Sequence, residues 1–317
     1  MSLFLKPSDD LPALKQGLSR RRLLQALLVG GLLAPSPARA QVRDDIIGTL
    51  RRHTAVDTDT FVDLARRFDL GYTEMVAANP DIDPWLPEAG SIILLPTAHI
   101  LPHARRQGIV VNLAQQRLFY FTGNDASPVI TCPVGIGRQA HETLLGRTHV
   151  VLKRQAPTWI PPDSIREEKP WLPRAIGPGP DNPLGDYALN LGWAGYVIHG
   201  TNRPYSIGRR VSHGCIRLYP EDIESLFKAV EVGMPVEVVN QPVLGGWSEG
   251  RLYLEAHPTQ EQADELALGG KMTPEKAADI AVLLADAVAG QASRIDWNKV
   301  DETIRQRRGV PVPVLRG

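Results

Sequence analysis

From Gly108 to Asn240 the apolar residues come in short runs, and Gly, Pro or Asn closes nearly every one. That punctuation constrains the fold more than any other feature, because a helix needs a longer periodic stretch than these runs supply. IVVNLAQQRLFYF (109–121) reads as a β-hairpin turning near Ala114-Gln115. VITCPVGIG (129–137), THVVLKR (148–154), GYVIHGT (195–201) and PVEVVN (235–240) read as further strands. Only PEDIESLFKAVEVG (220–233) has helical spacing, with Ile223, Leu226, Phe227 and Val230 on one face. Between the strands runs a long Pro- and Gly-rich stretch from Trp159 to Gly192. A loop of that length inside a compact domain is usually functional. Residues 107–241 therefore read as one mainly β domain of sandwich-like build.

The first 40 residues read as a signal peptide rather than as part of the fold. SRRRLLQALLVGGLLA (19–34) sets arginines before an apolar run shorter than the ~20 residues a membrane span needs. Ala38-Arg39-Ala40 has the small-x-small form of a cleavage site, which predicts a mature chain starting at Gln41. Ser19-Arg20-Arg21-Arg22-Leu23-Leu24 resembles the twin-arginine export motif, which implies a periplasmic protein exported folded. No further membrane segment is expected in the mature chain. Lys+Arg and Asp+Glu both number 35, so no net positive charge points to nucleic acid as a partner.

Residues 53–96 predict strand, helix, helix, strand. Asp59 or Thr60 can cap the first helix, along which Phe61, Leu64, Ala65 and Phe68 recur at helical spacing. Thr73 can start a second helix, which Asn79-Pro80 ends. This βααβ order, with ANP-D-DPWLP before the last strand, resembles a LysM domain, which implies binding of peptidoglycan glycan. The usual Gly-Asp-Thr before the first helix reads Thr58-Asp59-Thr60 here. The expected organisation is a LysM-like domain over 41–97, a polar linker over 98–106, the β domain over 107–241, and a mostly helical extension over 242–317. In the extension, Arg251 to Glu255 reads as a strand. Thr273-Pro274 opens one expected helix, and Asp296 caps another.

VSHGCIRLYPED (211–222) holds one of only two cysteines. Cys215 is open to four readings. Packing suits a small thiol, but Ser212, His213, Gly214 and Arg217 are poor core neighbours. His199, His213 and Cys215 would supply three zinc ligands, yet no C-x-x-C or H-E-x-x-H run accompanies them. A bond to Cys132 would need Cα atoms within ~7 Å. As a nucleophile, Cys215 needs an imidazole to take its proton, and His199 or His213 can supply one. Gly214 lets the backbone turn so that its own amide and that of Cys215 can hold an oxyanion. That set describes acyl transfer through a thioester.

IHGT (198–201) followed by SIGRRVSHGCIRL (206–218) closely resembles the active-site signature of the YkuD-type L,D-transpeptidases, with supporting likeness in PVGIGR (133–138) and NPLG (182–185). The resemblance implies that Cys215 attacks the diaminopimelate–D-alanine bond of a peptidoglycan tetrapeptide stem and that an amine then takes the acyl group. It implies His199 as base, the Gly200 carbonyl as the group orienting its ring, and the amides of His213, Gly214 and Cys215 as oxyanion donors. Ser212 shapes the site. Arg217 either bonds the catalytic loop or meets a substrate carboxylate. Trp159 and Trp171 either line a lid over the donor stem, running from Trp159 to Leu184, or belong to the core. Acylation by carbapenems is implied, and no cofactor. The acceptor is open: diaminopimelate, a lipoprotein lysine, or water, the last making the chain an L,D-carboxypeptidase or a lipoprotein-detaching hydrolase. A glycan-binding scaffold with a dead site is the non-enzymatic alternative. One departure is Leu144, where the family has Pro after Thr143.

Overall fold

A computed structural model describes residues 44–123, 128–269, 271–274 and 292–316. The leader over 1–40 and the helix expected beyond Pro274 lie outside them. Strands β1 (Ile46–Gly48) and β2 (Arg51–Thr54) lead into helices α1 (Phe61–Arg67) and α2 (Tyr72–Ala78), then β3 (Ile92–Leu95) and β4 (Ala98–Ile100). The expected strand-helix-helix-strand order is present, with β2 antiparallel to β3 and Arg51 opposite Leu95. The Thr60 hydroxyl caps α1 by accepting the Asp63 amide at 3.2 Å. At α2 the Glu74 carboxylate turns back to accept the Gly71 amide at 2.9 Å, so Gly71 rather than Thr73 begins the helix. Asn79 ends α2, its side chain donating to the carbonyls of Met75 and Leu94 and accepting from the Leu94 amide. Phe61, Leu64, Met75, Ile93 and Leu95 close a core between these elements.

Residues 98–106 do not begin as the polar linker that was expected. All three residues of β4 are buried, and the strand pairs with β1. The Ile100 amide donates to the buried Glu255 carboxylate at 2.6 Å. The run was too short to read as a strand, and its partner β1 gave no signal of its own.

Next come β5 (Gly108–Asn112), β6 (Arg117–Phe121), β7 (Val129–Pro133), β8 (Ile136–Gly137), β9 (Gly146–Gln155), helix α3 (Asp163–Glu168), β10 (Tyr187–Leu191), β11 (Val197–His199), β12 (Arg210–Ser212), β13 (Ile216–Arg217), α4 (Pro220–Ala229) and β14 (Pro235–Val239). Eight of these strands form one sheet, in the order β13-β11-β10-β9-β14-β5-β6-β7. It is a single curled sheet, rather than two stacked ones, and mainly antiparallel. The pairs β11–β13 and β14–β5 are parallel. Its inner face and α4 enclose the main core, with Ile109, Val150, Leu189, Ile198, Ile216, Ile223 and Leu226 among its members. Cys132 on β7 is free and packs in that core, where burial pushes its thiol well above the ordinary range. The short pair β8–β12 stands apart from this sheet and braces the segment before Cys215.

The last part holds a three-stranded sheet of β15 (Val243–Ser248), β16 (Arg251–Ala256) and β17 (Val312–Pro313), with helices α5 (Gln260–Ala267) and α6 (Trp297–Gln306). The expectation of a mostly helical extension missed β15 and β17. Asp296 caps α6 as expected, accepting the Lys299 amide at 3.4 Å. Val300 and Ile304 of α6 pack with Leu252 and Leu254 of β16. No described helix is long and apolar enough to cross a membrane.

Candidate active site

The register of two short strands brings the candidate residues together. β11 and β13 run parallel, with Ile198 opposite Ile216 and His199 opposite Arg217. Successive side chains on a strand point to opposite faces. Ile198 and Ile216 both enter the main core, so His199 and Arg217 share the other face. Cys215 precedes Ile216 directly, just before β13 begins. Its Sγ lies 3.5 Å from the Gly195 carbonyl. Both cysteines are free thiols, so the disulfide reading does not hold in this structure.

His199 is 3% exposed, and its Nδ1 lies 2.6 Å from the Gly200 carbonyl. A carbonyl only accepts, so the neutral ring carries its hydrogen on Nδ1 and Nε2 is its basic nitrogen. Burial, and then the Arg217 charge, depress His199 to about 3. Burial also pushes the Cys215 thiol up, while a backbone hydrogen bond at Val197 and the Arg217 cation offset part of that rise. The resting pair at neutral pH is therefore thiol and neutral imidazole. A low-dielectric site disfavours separated charge in the absence of substrate.

The loop around Cys215 is pinned from several sides. The Ser212 hydroxyl donates to the Cys215 carbonyl at 2.5 Å, and the Arg138 amide donates to the Ser212 carbonyl at 3.0 Å. Gly214 has φ +98, and a Cβ there would lie 2.9 Å from the Tyr196 ring, so only glycine fits. The buried hydroxyl of Thr143 ties the end of β8 to the loop before Cys215: it accepts the Gly137 amide at 3.0 Å and donates to the Gly214 carbonyl at 2.9 Å. This role was not foreseen, although PVGIGR and Thr143 both stood out in the sequence. Leu144, the departure from the family pattern, is 44% exposed and makes no part of that bridge.

His213 points elsewhere than His199. Its Nε2 lies 3.1 Å from the Glu168 carboxylate and 2.9 Å from the Arg138 guanidinium, and its ring stands 4.5 Å from that of His141. Burial holds it below its ordinary value, against the pull of Glu168. The zinc trio considered from sequence is not assembled: among the described residues, His199, His213 and Cys215 are not a group whose donor atoms lie close enough to share an ion. Among the described residues, His141, Glu168 and His213 bring three donor atoms within 4.8 Å of one another. Arg138 already donates to that His213 nitrogen and pairs with Glu168.

A cleft of about 950 Å³ opens beside this loop. Val211, His213 and Arg217 line it, as do Trp159 and Trp171 from the long loop. Trp171 is 75% exposed, which excludes the core reading for it, and Trp159 is half-buried. Arg217 Nε is buried with no hydrogen-bond partner. Asn182 anchors the far end of the long loop, its buried amide donating to the Pro157 carbonyl at 2.6 Å and accepting from the Leu184 amide at 2.9 Å.

The family described as the YkuD L,D-transpeptidase catalytic domain matches residues 106–238. The probable L,D-transpeptidase YbiS of Escherichia coli strain K12 is 37% identical over 257 residues, spanning 78% of this chain and 81% of that protein. The chain belongs to the L,D-transpeptidase family. A second relative from the same strain, the probable L,D-transpeptidase ErfK/SrfK, is 37% identical over 276 residues, 85% of this chain and 86% of its own. The putative L,D-transpeptidase YkuD of Bacillus subtilis is 27% identical over 182 residues, 57% of this chain and 93% of its own. Among solved structures, the catalytic domain from an E. faecium L,D-transpeptidase aligns with 43% of this chain and 99% of its own, at 25% identity and a TM-score of 0.34. The enzyme is thus a cysteine-dependent acyltransferase of peptidoglycan by family.

Proposed function

We propose that Cys215 is the nucleophile and His199 its general base in an L,D-transpeptidation of peptidoglycan stem peptides. What supports this is the parallel register of β11 and β13, which pairs His199 with Arg217, two residues after Cys215, with His199 Nδ1 held on the Gly200 carbonyl. As the substrate carbonyl approaches, the Cys215 proton passes to His199 Nε2 and Sγ bonds to the diaminopimelate carbonyl carbon. The amides of His213, Gly214 and Cys215 receive the developing oxyanion. The C–N bond breaks, and D-alanine leaves with the proton from His199. An acceptor amine then attacks the thioester, gives its proton to His199, and the thiolate leaves and is reprotonated. The unpaired Nε of Arg217 supports its reading as the partner of a substrate carboxylate. Trp159 and Trp171 fit a lid over the donor stem because both line the cleft.

The acceptor is a diaminopimelate amine, which makes a 3-3 cross-link, or the terminal lysine of an outer-membrane lipoprotein. The βααβ segment reads as a LysM-like glycan-binding module, and the leader as a twin-arginine signal that sends the chain to the periplasm. Carbapenems are expected to acylate Cys215. The test incubates the enzyme with a disaccharide-tetrapeptide, with and without a lysine-terminated peptide, and follows product masses. A joined product lighter by one D-alanine than the sum of its parts names the accepted amine. Loss of D-alanine without joining in either mixture would reassign the chain as a carboxypeptidase.

A further inference from the structure

Two imidazoles and a carboxylate meet beside the cleft, and the chemistry proposed above uses none of these side chains. His141 stands on the turn after β8, which its amide closes by donating to the Arg138 carbonyl at 3.0 Å. His213 directly follows β12, and the β8–β12 pair sets Gly137 opposite Ser212. The two histidines are therefore brought together by paired strands, with their rings 4.5 Å apart. Glu168 arrives from the long loop, as the last residue of α3.

The spacing is that of ligands around one ion. Glu168 Oε1 lies 3.1 Å from His213 Nε2 and 3.6 Å from His141 Nε2. At 3.6 Å the second pair is outside hydrogen-bond reach. Tetrahedral zinc, with bonds of ~2.0–2.1 Å, sets its ligand atoms ~3.4 Å apart. The hydrogen bonds point the same way. His213 Nε2 accepts from Arg138, so the same nitrogen does not also donate to Glu168. A ring lone pair and a carboxylate are thus held 3.1 Å apart by a cation, and Arg138 is that cation. A divalent ion at the centre of the cluster would meet all three donors. The side chains of His141, Glu168 and Arg138 are 30%, 38% and 40% exposed, which leaves an ion a way in and the guanidinium a way out to water.

We infer that His141, Glu168 and His213 form a site for a zinc-type divalent cation, which displaces the Arg138 guanidinium and clamps α3 to the catalytic loop. Two imidazoles with one carboxylate suit zinc, whereas magnesium and calcium prefer oxygen ligands alone. The effect on turnover rests on the assignment of Cys215 above. Ile165 of α3 and Lys169 and Trp171 just after it line the same cleft as His213. An ion joining Glu168 to His213 fixes that wall over the cleft, and turnover slows while it is bound.

The experiment titrates Zn2+ calorimetrically into the full chain carrying Cys215→Ala, so that the reactive thiol is not a ligand. The expected result is one zinc equivalent that His141→Ala and Glu168→Gln each weaken by more than ~10–100-fold, the usual cost of losing even an outer partner of a metal ligand. Arg138→Gln tightens binding because the competing cation is gone, and Mg2+ does not compete. Zinc binding unchanged by His141→Ala and Glu168→Gln, or weakened by Arg138→Gln, would overturn the site. The effect on catalysis is read from D-alanine release by the chain that keeps Cys215. Zn2+ is expected to inhibit the parent reversibly, with EDTA restoring the rate. His141→Ala keeps the parent rate without zinc and resists inhibition. Equal inhibition of parent and His141→Ala would put the inhibiting ion on the Cys215 thiol and overturn the clamp. A parent chain that binds zinc on these residues yet releases no D-alanine, with or without zinc, would instead overturn the assignment of the nucleophile.

Discussion

At the scale of single residues, burial favours the uncharged forms of both members of the proposed pair, Cys215 and His199. Cys215→Ala is expected to abolish D-alanine release, while Cys132→Ala keeps most of it and costs about 1 kcal/mol of stability, the order of one buried methylene. His199→Ala is expected to lose more activity than His213→Ala, because His199 is the proposed base, paired in register with Arg217, whereas His213 Nε2 lies 3.1 Å from Glu168. The pH behaviour follows from the shifts. Burial raises the Cys215 thiol, so in a Cys132→Ala background its alkylation by iodoacetamide should climb through an inflection above ~8.5, the ordinary cysteine value. Constant fast labelling down to pH 5 would mean a preformed thiolate–imidazolium pair and contradict this. His199 is depressed to about 3, so the folded state binds fewer protons there than the unfolded state below the ordinary value of 6.5. The stability it contributes is complete above pH ~6.5 and lost as pH falls toward 3. Histidine NMR checks this: the His199 ring should stay neutral at pH 5.

At the scale of elements, two carboxyl groups join the turn after α1 to the first turn of α4. Asp69 Oδ1 and Asp222 Oδ2 are both buried without another partner. We expect the two neighbouring carboxyl groups to share a single proton. Burial and the Asp69 charge push Asp222 up to about 8. The folded state therefore holds a proton that the unfolded chain sheds near pH 4, and this contribution to stability is lost as pH rises through 8. Asp222→Asn is expected to flatten the alkaline fall in melting temperature between pH 7 and 9; an unchanged fall would show that the pair does not share a proton. The strands around this region were readable because each short apolar run had a turn residue at its end. The hairpin β5–β6 and the β11 strand ending at His199 were legible for that reason. The pairing order was not, since β11 and β13 meet across a segment that contains β12 and pairs elsewhere. β1, β4 and β17 were too short to leave a pattern. Thr143 and Asn182 act through single buried hydrogen bonds, which no periodicity reveals.

At the scale of the whole molecule, the parts that looked like separate domains are stitched by buried polar groups. Arg117 on β6 is 1% exposed and reaches Glu74 on α2 at 3.0 Å and the Asp69 carbonyl at 2.8 Å. Glu255 on β16 accepts from Ile100 and Gln115 and meets His257 at 2.5 Å. The described residues after the leader form one compact unit. Composition placed the boundaries where texture changed, but texture does not report a buried ion pair between two textures. Arg117→Met is expected to cost about 3–5 kcal/mol in urea unfolding by stranding Glu74, with Glu74→Leu in the same chain recovering much of it. The most direct test is intact-mass spectrometry of the enzyme quenched during turnover of a disaccharide-tetrapeptide. The account predicts an adduct equal to the substrate minus one D-alanine, located on Cys215 by peptide mapping and trapped longer in His199→Ala if it forms there at all. Steady D-alanine release with no adduct on Cys215, or with turnover surviving in Cys215→Ala, would contradict it.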